Sequence, residues 1–258
     1  MKARRVIATV APKGGVGKTF IAKLLHDLLP TRSRRVAAWD LDASTGTFAV
    51  YHDDIKTFDL SGTQSTYSWL DDCHRDEIDD VLIDVPGGRI DDLLRTFGDN
   101  SVEALVAAVS ETNRELVIVN PIGMMIAETV TAQVVLNAFA GTAARVVIVK
   151  NGRFGSPHDF VIYDGVQIGD ERRYGATGEL AANVGAETIF LNAFSPSLLA
   201  QADAERLRLI EAAGPVGAQR LGQLGATRMR VQLAAATTDF RGSSLDIDGA
   251  IPQRVAAR

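Results

Sequence analysis

One heptapeptide constrains this chain more than anything else in it: Lys13-Gly14-Gly15-Val16-Gly17-Lys18-Thr19. It follows a short apolar run, residues 6–11, that reads as a buried strand, and it opens a helical pattern over residues 18–29. A glycine-dense turn between a strand and a helix has a physical use. Gly14, Gly15 and Gly17 let the backbone take turns with positive φ and aim several N–H groups at one polyanion. The positive end of the following helix adds to that field. Lys18 can reach β- and γ-phosphates, and the Thr19 hydroxyl is placed to ligate Mg²⁺. The segment therefore implies a site for a nucleoside triphosphate with magnesium.

The rest of the chain supplies a frame for such a loop. Short apolar runs at residues 35–39, 79–85, 115–121, 144–150 and 187–192 alternate with helical patterns near 91–97, 101–110, 128–140 and 196–213. Strands with little polar alternation, separated by helices, mean a mostly parallel sheet covered on both faces: a doubly wound α/β fold. Nothing in residues 1–241 marks a domain boundary, so a single nucleotide-binding domain is expected there. Residues 242–258 contain Pro252 and little periodicity, and they read as a disordered C-terminal tail. Two stretches fit less easily. Residues 50–69 hold a candidate edge strand at 55–60, and residues 153–183 read as a long surface loop with a short helix or hairpin.

Composition excludes several classes. Cys73 is the only cysteine, which rules out an internal disulfide or a CxxC metal site. The four histidines, His26, His52, His74 and His158, show no metal-ligand spacing. Net charge is −5, with 14 Lys/Arg against 20 Asp/Glu in residues 1–141 and 13 against 12 afterwards, so no global field draws the chain to DNA or anionic lipid. The basic start is followed by too few apolar residues for a secretory core, and no run approaches a membrane span of about 18 residues. A cytoplasmic location is expected, with no membrane span.

The first position of the general GxxxxGK[ST] pattern is Pro12, and Lys13 precedes the paired glycines. From Lys13 to Thr19 the loop resembles the deviant Walker A sequence, KGGxGK[ST], of the ParA/MinD family of P-loop ATPases. The resemblance implies that Lys13 reaches across a nucleotide-sandwich dimer to the partner's phosphates. It also implies ATP and Mg²⁺ as ligands, a slow ATPase activity, and a homodimer in the ATP state that engages a protein partner or cargo. DNA binding is left open.

Acidic residues at two strand ends match the family's switches. Asp40-Leu41-Asp42 resembles DxDP, with Asp42 orienting the attacking water and Asp40 near the magnesium shell. Ala43 and Ser44 depart from the partition form, and Ser44-Thr45-Gly46-Thr47-Phe48 looks more like the plasmid conjugal-transfer (TraL-like) branch. The run ending in Asp84 resembles Walker B, with Asp84 holding a magnesium-bound water, and Gly87 lies in a second switch, Pro86-Gly87-Gly88. The implied nucleotide contacts are Lys13, Gly14, Gly15, Val16, Gly17, Lys18, Thr19, Phe20, Gly87 and Asn151; the catalytic residues Lys13, Lys18 and Asp42; the metal residues Thr19, Asp40 and Asp84. Asn151 reads equally well as a turn residue before Gly152. Ala193 and Phe194 correspond to the loop that closes over the base.

Asp71, Asp72, Asp76, Asp79, Asp80, Asp91 and Asp92 read as a solvated acidic face or helix caps. Arg206, Arg208, Arg228 and Arg230 read more readily as a solvated face than as a docking surface. The guanine-reading NKxD motif is missing, which points to ATP rather than GTP. The resulting expectation is a dimerising Mg-ATP switch that positions or delivers a cargo, of plasmid partition or conjugal transfer type. Two readings stand beside it: an ATP-dependent ligase or amidotransferase on the same core, and a nucleotide-binding scaffold with little hydrolysis. A shared iron–sulfur cluster, as in nitrogenase iron protein, is argued against by the single cysteine.

Overall fold

Alternate residues of a strand face opposite sides of its sheet, and in this chain both sides are apolar. Val6 and Ala8 belong to one buried cluster and Ile7 to another; Val81 and Ile83 part from Leu82 in the same way, as do Val146 and Ile148 from Val147 and Val149. Helices must therefore cover both faces. The computed structural model describes residues 3–32, 34–42, 46–50, 52–60, 68–95 and 101–247. The chain begins with β1 (Arg5–Thr9), α1 (Lys18–Leu28), β2 (Val36–Asp40), β3 (Ile55–Thr57), α2 (Ser68–Cys73), β4 (Asp80–Asp84), α3 (Ile90–Arg95) and α4 (Val102–Glu111). It continues with β5 (Glu115–Ile122), α5 (Ile126–Phe139), β6 (Arg145–Asn151), α6 (Val161–Asp164), β7 (Val166–Ile168), β8 (Glu171–Arg173) and α7 (Ala176–Asn183). It closes with β9 (Glu187–Leu191), α8 (Pro196–Ala204), α9 (Leu209–Ala212), α10 (Pro215–Arg220) and α11 (Gly222–Asp239).

Seven strands form one sheet in the order β3-β2-β4-β1-β5-β6-β9, and every pairing in it is parallel. The doubly wound fold is as expected. Helices α2 to α7 contribute to the cluster on one face, and α1, α8, α9 and α11 to the cluster on the other. Because β1 lies between β4 and β5, the chain reverses direction across the sheet at β1. Crevices at such reversals, outside the carboxyl ends of the strands, are where open α/β sheets bind ligands.

Several expectations change. The stretch 153–183 contains both a helix and a hairpin: β7 and β8 pair antiparallel, and α7 packs against α5. The helix expected over 196–213 is broken at Arg206, whose φ of 52° lies outside helical space. The tail is ordered in part. Leu245 and Ile247 are buried, Ser244 N donates to Glu187 Oε2 at 2.7 Å, and Arg5 Nη1 donates to the Ser244 carbonyl at 2.8 Å. Residues 248–258 lie outside the described residues.

Two of the aspartates read as solvated are buried. Asp72 accepts from Trp39 Nε1 at 2.9 Å and from Lys56 Nζ at 2.7 Å. Asp80 has no exposed surface; Arg5 Nε and Nη2 reach it at 2.9 and 3.0 Å and Arg34 Nη2 at 2.7 Å. Sequence patterning could not separate these two from Asp76, which pairs with Arg4 in the open. A buried carboxylate between two guanidiniums is costly to break, because removing it strands both positive charges in a poorly solvated place. Asp80→Ala should therefore lower stability by about 3–5 kcal/mol in urea unfolding, whereas Asp76→Ala should leave the midpoint close to that of the unaltered chain.

Candidate functional site

The loop between β1 and α1 has the backbone the sequence implied, at two of its three glycines. Gly15 has φ of 85° and Gly17 of 99°, the latter capping α1 in the left-handed region. Gly14 is not among the glycines with positive φ. Its usefulness is space: a Cβ on Gly14 or Gly15 would meet nothing within 4 Å, so the loop's outer side is open. Gly17 is the opposite case, since a Cβ there would lie 2.3 Å from Asn151 Nδ2. Lys18 and Thr19 are the first residues of α1.

Asp84, at the carboxyl end of β4, is gripped from both sides of the loop. Thr9 Oγ1 donates to its Oδ1 at 2.6 Å and Thr19 Oγ1 to its Oδ2 at 2.7 Å. Burial raises the Asp84 pKa above the ordinary carboxylate range; Lys18 and the two hydroxyls oppose that shift, and the charge of Asp40 adds to it. Asp40 is the register partner of Asp84 on the neighbouring strand. Its oxygens accept from the backbone of the loop that follows β2. Oδ1 accepts from Asp42 N at 3.0 Å, and Oδ2 from Phe48 N at 2.9 Å and Ala49 N at 3.1 Å. Asp40 is thus the clasp of its own loop, a turn in which a short side chain replaces backbone pairing.

Asp42 lies just beyond β2, bridged to Asp59, with its carbonyl accepting from Gly46 N at 2.7 Å. Residues 43–45 lie outside the described residues. The second switch is laced to the phosphate loop: Gly88 N donates to the Ala11 carbonyl at 3.1 Å, and a Cβ on Gly87 would sit 3.4 Å from Gly14 Cα. Lys13 leans the other way. Its side chain is 46% exposed and its Nζ is 3.9 Å from Glu128 Oε1, in the first turn of α5.

Asparagines brace the loop. Asn151, at the end of β6, donates from Nδ2 to the Val16 carbonyl at 2.9 Å and accepts on Oδ1 from Arg153 N at 3.0 Å. Asn120, on β5, donates to the Val10 carbonyl at 2.9 Å, and its buried Oδ1 has no partner among the described residues. Beside Asn151 a cavity of about 170 Å³ is lined by Gly17, Phe20, Arg153, Phe194, Pro196 and Leu199. Phe20 and Phe194 meet edge to face at 5.1 Å on its wall. Phe20, Asn151 and Phe194 are thereby brought together around one cavity. Thr9, Asn120 and Glu128 are participants that sequence reading missed. Thr9 and Asn120 are polar residues inside otherwise apolar strands, which was the available signal.

Residues 7–258 match the CobQ/CobB/MinD/ParA nucleotide-binding domain family, CbiA. The chain belongs to this family. Like other members, it is a nucleotide-binding domain; the match is to the family as a whole and does not single out the conjugal-transfer branch. No curated protein matches. Among solved structures the chain resembles a nucleotide-binding protein in complex with ADP from Archaeoglobus fulgidus, at 19% identity, 79% of this chain and 87% of that one, with TM-score 0.49. It also resembles MinD in the MinC:MinD complex of Aquifex aeolicus, at 12% identity, 88% and 95% coverage and TM-score 0.49. A partition protein of Borrelia burgdorferi B31 bound to AMPPNP matches at 11% identity, 71% and 98% coverage and TM-score 0.40.

The residues present suit the ligands such a family implies. Gly14 and Gly15 leave room for phosphate, and the orphan oxygen of Asn120 shows that polar capacity is to spare near the loop. Thr19 and Asp84 offer oxygen donors, the kind Mg²⁺ prefers. Asn151→Ala should leave the Val16 carbonyl unsatisfied at a cost of about 1–3 kcal/mol. Thermal unfolding should show that loss, and nucleotide titration should show weaker binding of roughly tenfold as the loop loosens.

Proposed function

We propose that this chain is a Mg-ATP-binding and ATP-hydrolysing switch that dimerises in the ATP state and positions or delivers a cargo. The observation that carries the reading is the placement of Lys13. Lys18 already serves the loop from inside α1, whereas Lys13 stands half-exposed on the rim, where among the described residues a long contact to Glu128 is its one ion pair. Exposed ion pairs of that kind contribute about 0–1 kcal/mol, so Lys13 is released at little cost. A second lysine has use where phosphate charge is uncompensated, and a partner's γ-phosphate is such a place.

In this reading Lys18 and the loop amides of Gly14 to Thr19 hold the β- and γ-phosphates. Thr19 and Asp84 would hold Mg²⁺, which on binding neutralises phosphate oxygens. Asp42 positions the attacking water, Gly87 reports the γ-phosphate to the second switch, and the Phe20–Phe194 cavity takes the base. Asp40 acts indirectly, by fixing the loop that carries Asp42. The site of action is the cytoplasm, and the partner is a protein or a DNA-bound cargo. The alternative, a ligase, needs a substrate pocket beside the γ-phosphate. The cavity at the 153–183 segment gives it weak support, because its charges are already paired: Lys150 with Asp164, and Arg172 with Glu179 at 3.4 Å.

Mg-ATP should therefore drive dimerisation and ADP should leave monomers, most clearly in a slow-hydrolysing Asp42→Ala background. Lys13→Ala in that background should lose the dimer while keeping most nucleotide affinity. Light scattering with each nucleotide reads this directly. A protein that stays monomeric with saturating Mg-ATP, or a Lys13→Ala protein that dimerises normally, would contradict the switch.

A further inference from the structure

The histidines without metal-ligand spacing in sequence are brought together by the fold. His26 sits in the last turn of α1, and His52 and Asp54 lie in the segment that leads into β3. Each offers a donor atom within 4.8 Å of the other two. His26 Nε2 is 3.2 Å from Asp54 Oδ2, and the two imidazoles meet at 5.1 Å between centroids. Both histidines are buried, yet among the described residues His52 Nδ1 has no hydrogen-bond partner. A buried, unpaired polar nitrogen is costly unless something binds it.

We infer that His26, His52 and Asp54 form a binding site for a divalent transition-metal ion of the zinc class. Two imidazoles and one carboxylate are a donor set for Zn²⁺ or Fe²⁺ rather than for Mg²⁺, which favours oxygen. Access exists: His52 lines a cavity of about 290 Å³ with Thr19, Phe20, Lys23, Asp203 and Arg208. Burial keeps both rings in the neutral form that ligates metals, with His26 held down to about 4 and His52 to about 3. Asp54 is the exposed member, at 59%, and its side chain has room to close the remaining distance to donor bonds of about 2.0–2.2 Å.

The charges around the site are compatible with an ion. Arg208 donates to His26 Nδ1 at 3.4 Å, but its principal partner is the buried Asp27, whose Oδ1 it reaches at 2.8 Å. Arg208 Nη1 also lies 3.9 Å from Asp54 Oδ2, so two carboxylates offset its charge beside the site. An arginine can only donate, so in the metal-free protein the His26 proton lies on Nε2 and faces Asp54. When the ion takes Nε2, that proton moves to Nδ1 and the long Arg208 contact opens, leaving Arg208 on Asp27. No proton is gained or lost in the exchange. The ion would fasten the segment following Asp42 to α1, the helix that begins in the phosphate loop. It would thereby join the first switch to the nucleotide site through a bond that nucleotide does not supply.

Titration of the nucleotide-free full chain with Co²⁺, followed by its visible d–d absorption, tests the site. The unaltered chain should bind one Co²⁺ and release it to Zn²⁺, with Mg²⁺ in excess failing to compete. Changes even outside the ligand shell of metal sites cost about 10- to 100-fold in affinity. Asp54→Asn, at an exposed position that folding tolerates, should therefore weaken binding by at least about tenfold, and His52→Gln should remove it. A chain that gives no saturable absorption overturns the proposal, as does binding that is unchanged in both variants.

Discussion

A segment with no regular structure needs partners for its own backbone, and the phosphate loop obtains them from strands on either side. Asn120 takes the Val10 carbonyl, Asn151 the Val16 carbonyl, and Gly88 the Ala11 carbonyl. With its carbonyls engaged by neighbours, the loop leaves its outer side to a ligand. The rest of the site depends on that arrangement. Asp84 is positioned by hydroxyls from just before and just after the loop, so any shift of the loop moves the carboxylate's partners as well. The parallel sheet is what delivers these groups to one place, because β1, β4, β5 and β6 all end on the same edge.

Much of this was legible in the sequence, for identifiable reasons. The apolar runs of β1, β4, β5 and β6 are buried on both faces, so their composition alone implied helices on both sides. Lys13 to Thr19 points to a nucleotide because glycine and lysine at those spacings serve few other purposes, and the family match agrees at that level. What stayed hidden was everything set by long-range pairing. Asp72 and Asp80 look like Asp71 and Asp79 in sequence; only the arrival of Trp39 and Lys56, or of Arg5 and Arg34, makes them interior charges. Asp40 opens the segment Asp40-Leu41-Asp42, and its engagement by the Phe48 and Ala49 N–H groups is visible only in the folded loop.

The same contrast separates the two ends of the chain. Gly242 and the residues after it carry no periodic pattern, yet Leu245 and Ile247 fill space against the sheet and Ser244 meets both Arg5 and Glu187. Packing there follows from individual contacts and not from a repeat. Arg208 behaves likewise: in a stretch that resembled a solvated helix face, it is turned inward by Asp27. Among the described residues no helix is long and apolar enough to cross a membrane.

If the braced loop holds the phosphates of a nucleotide through Lys18, binding must fail when that charge is removed. Calorimetric titration of the purified chain and of Lys18→Ala with Mg-ATP measures this. One nucleotide per chain for the unaltered protein, and none detectable for Lys18→Ala, is the predicted result. Equal affinity in the two proteins, or no binding by the unaltered chain, would contradict it.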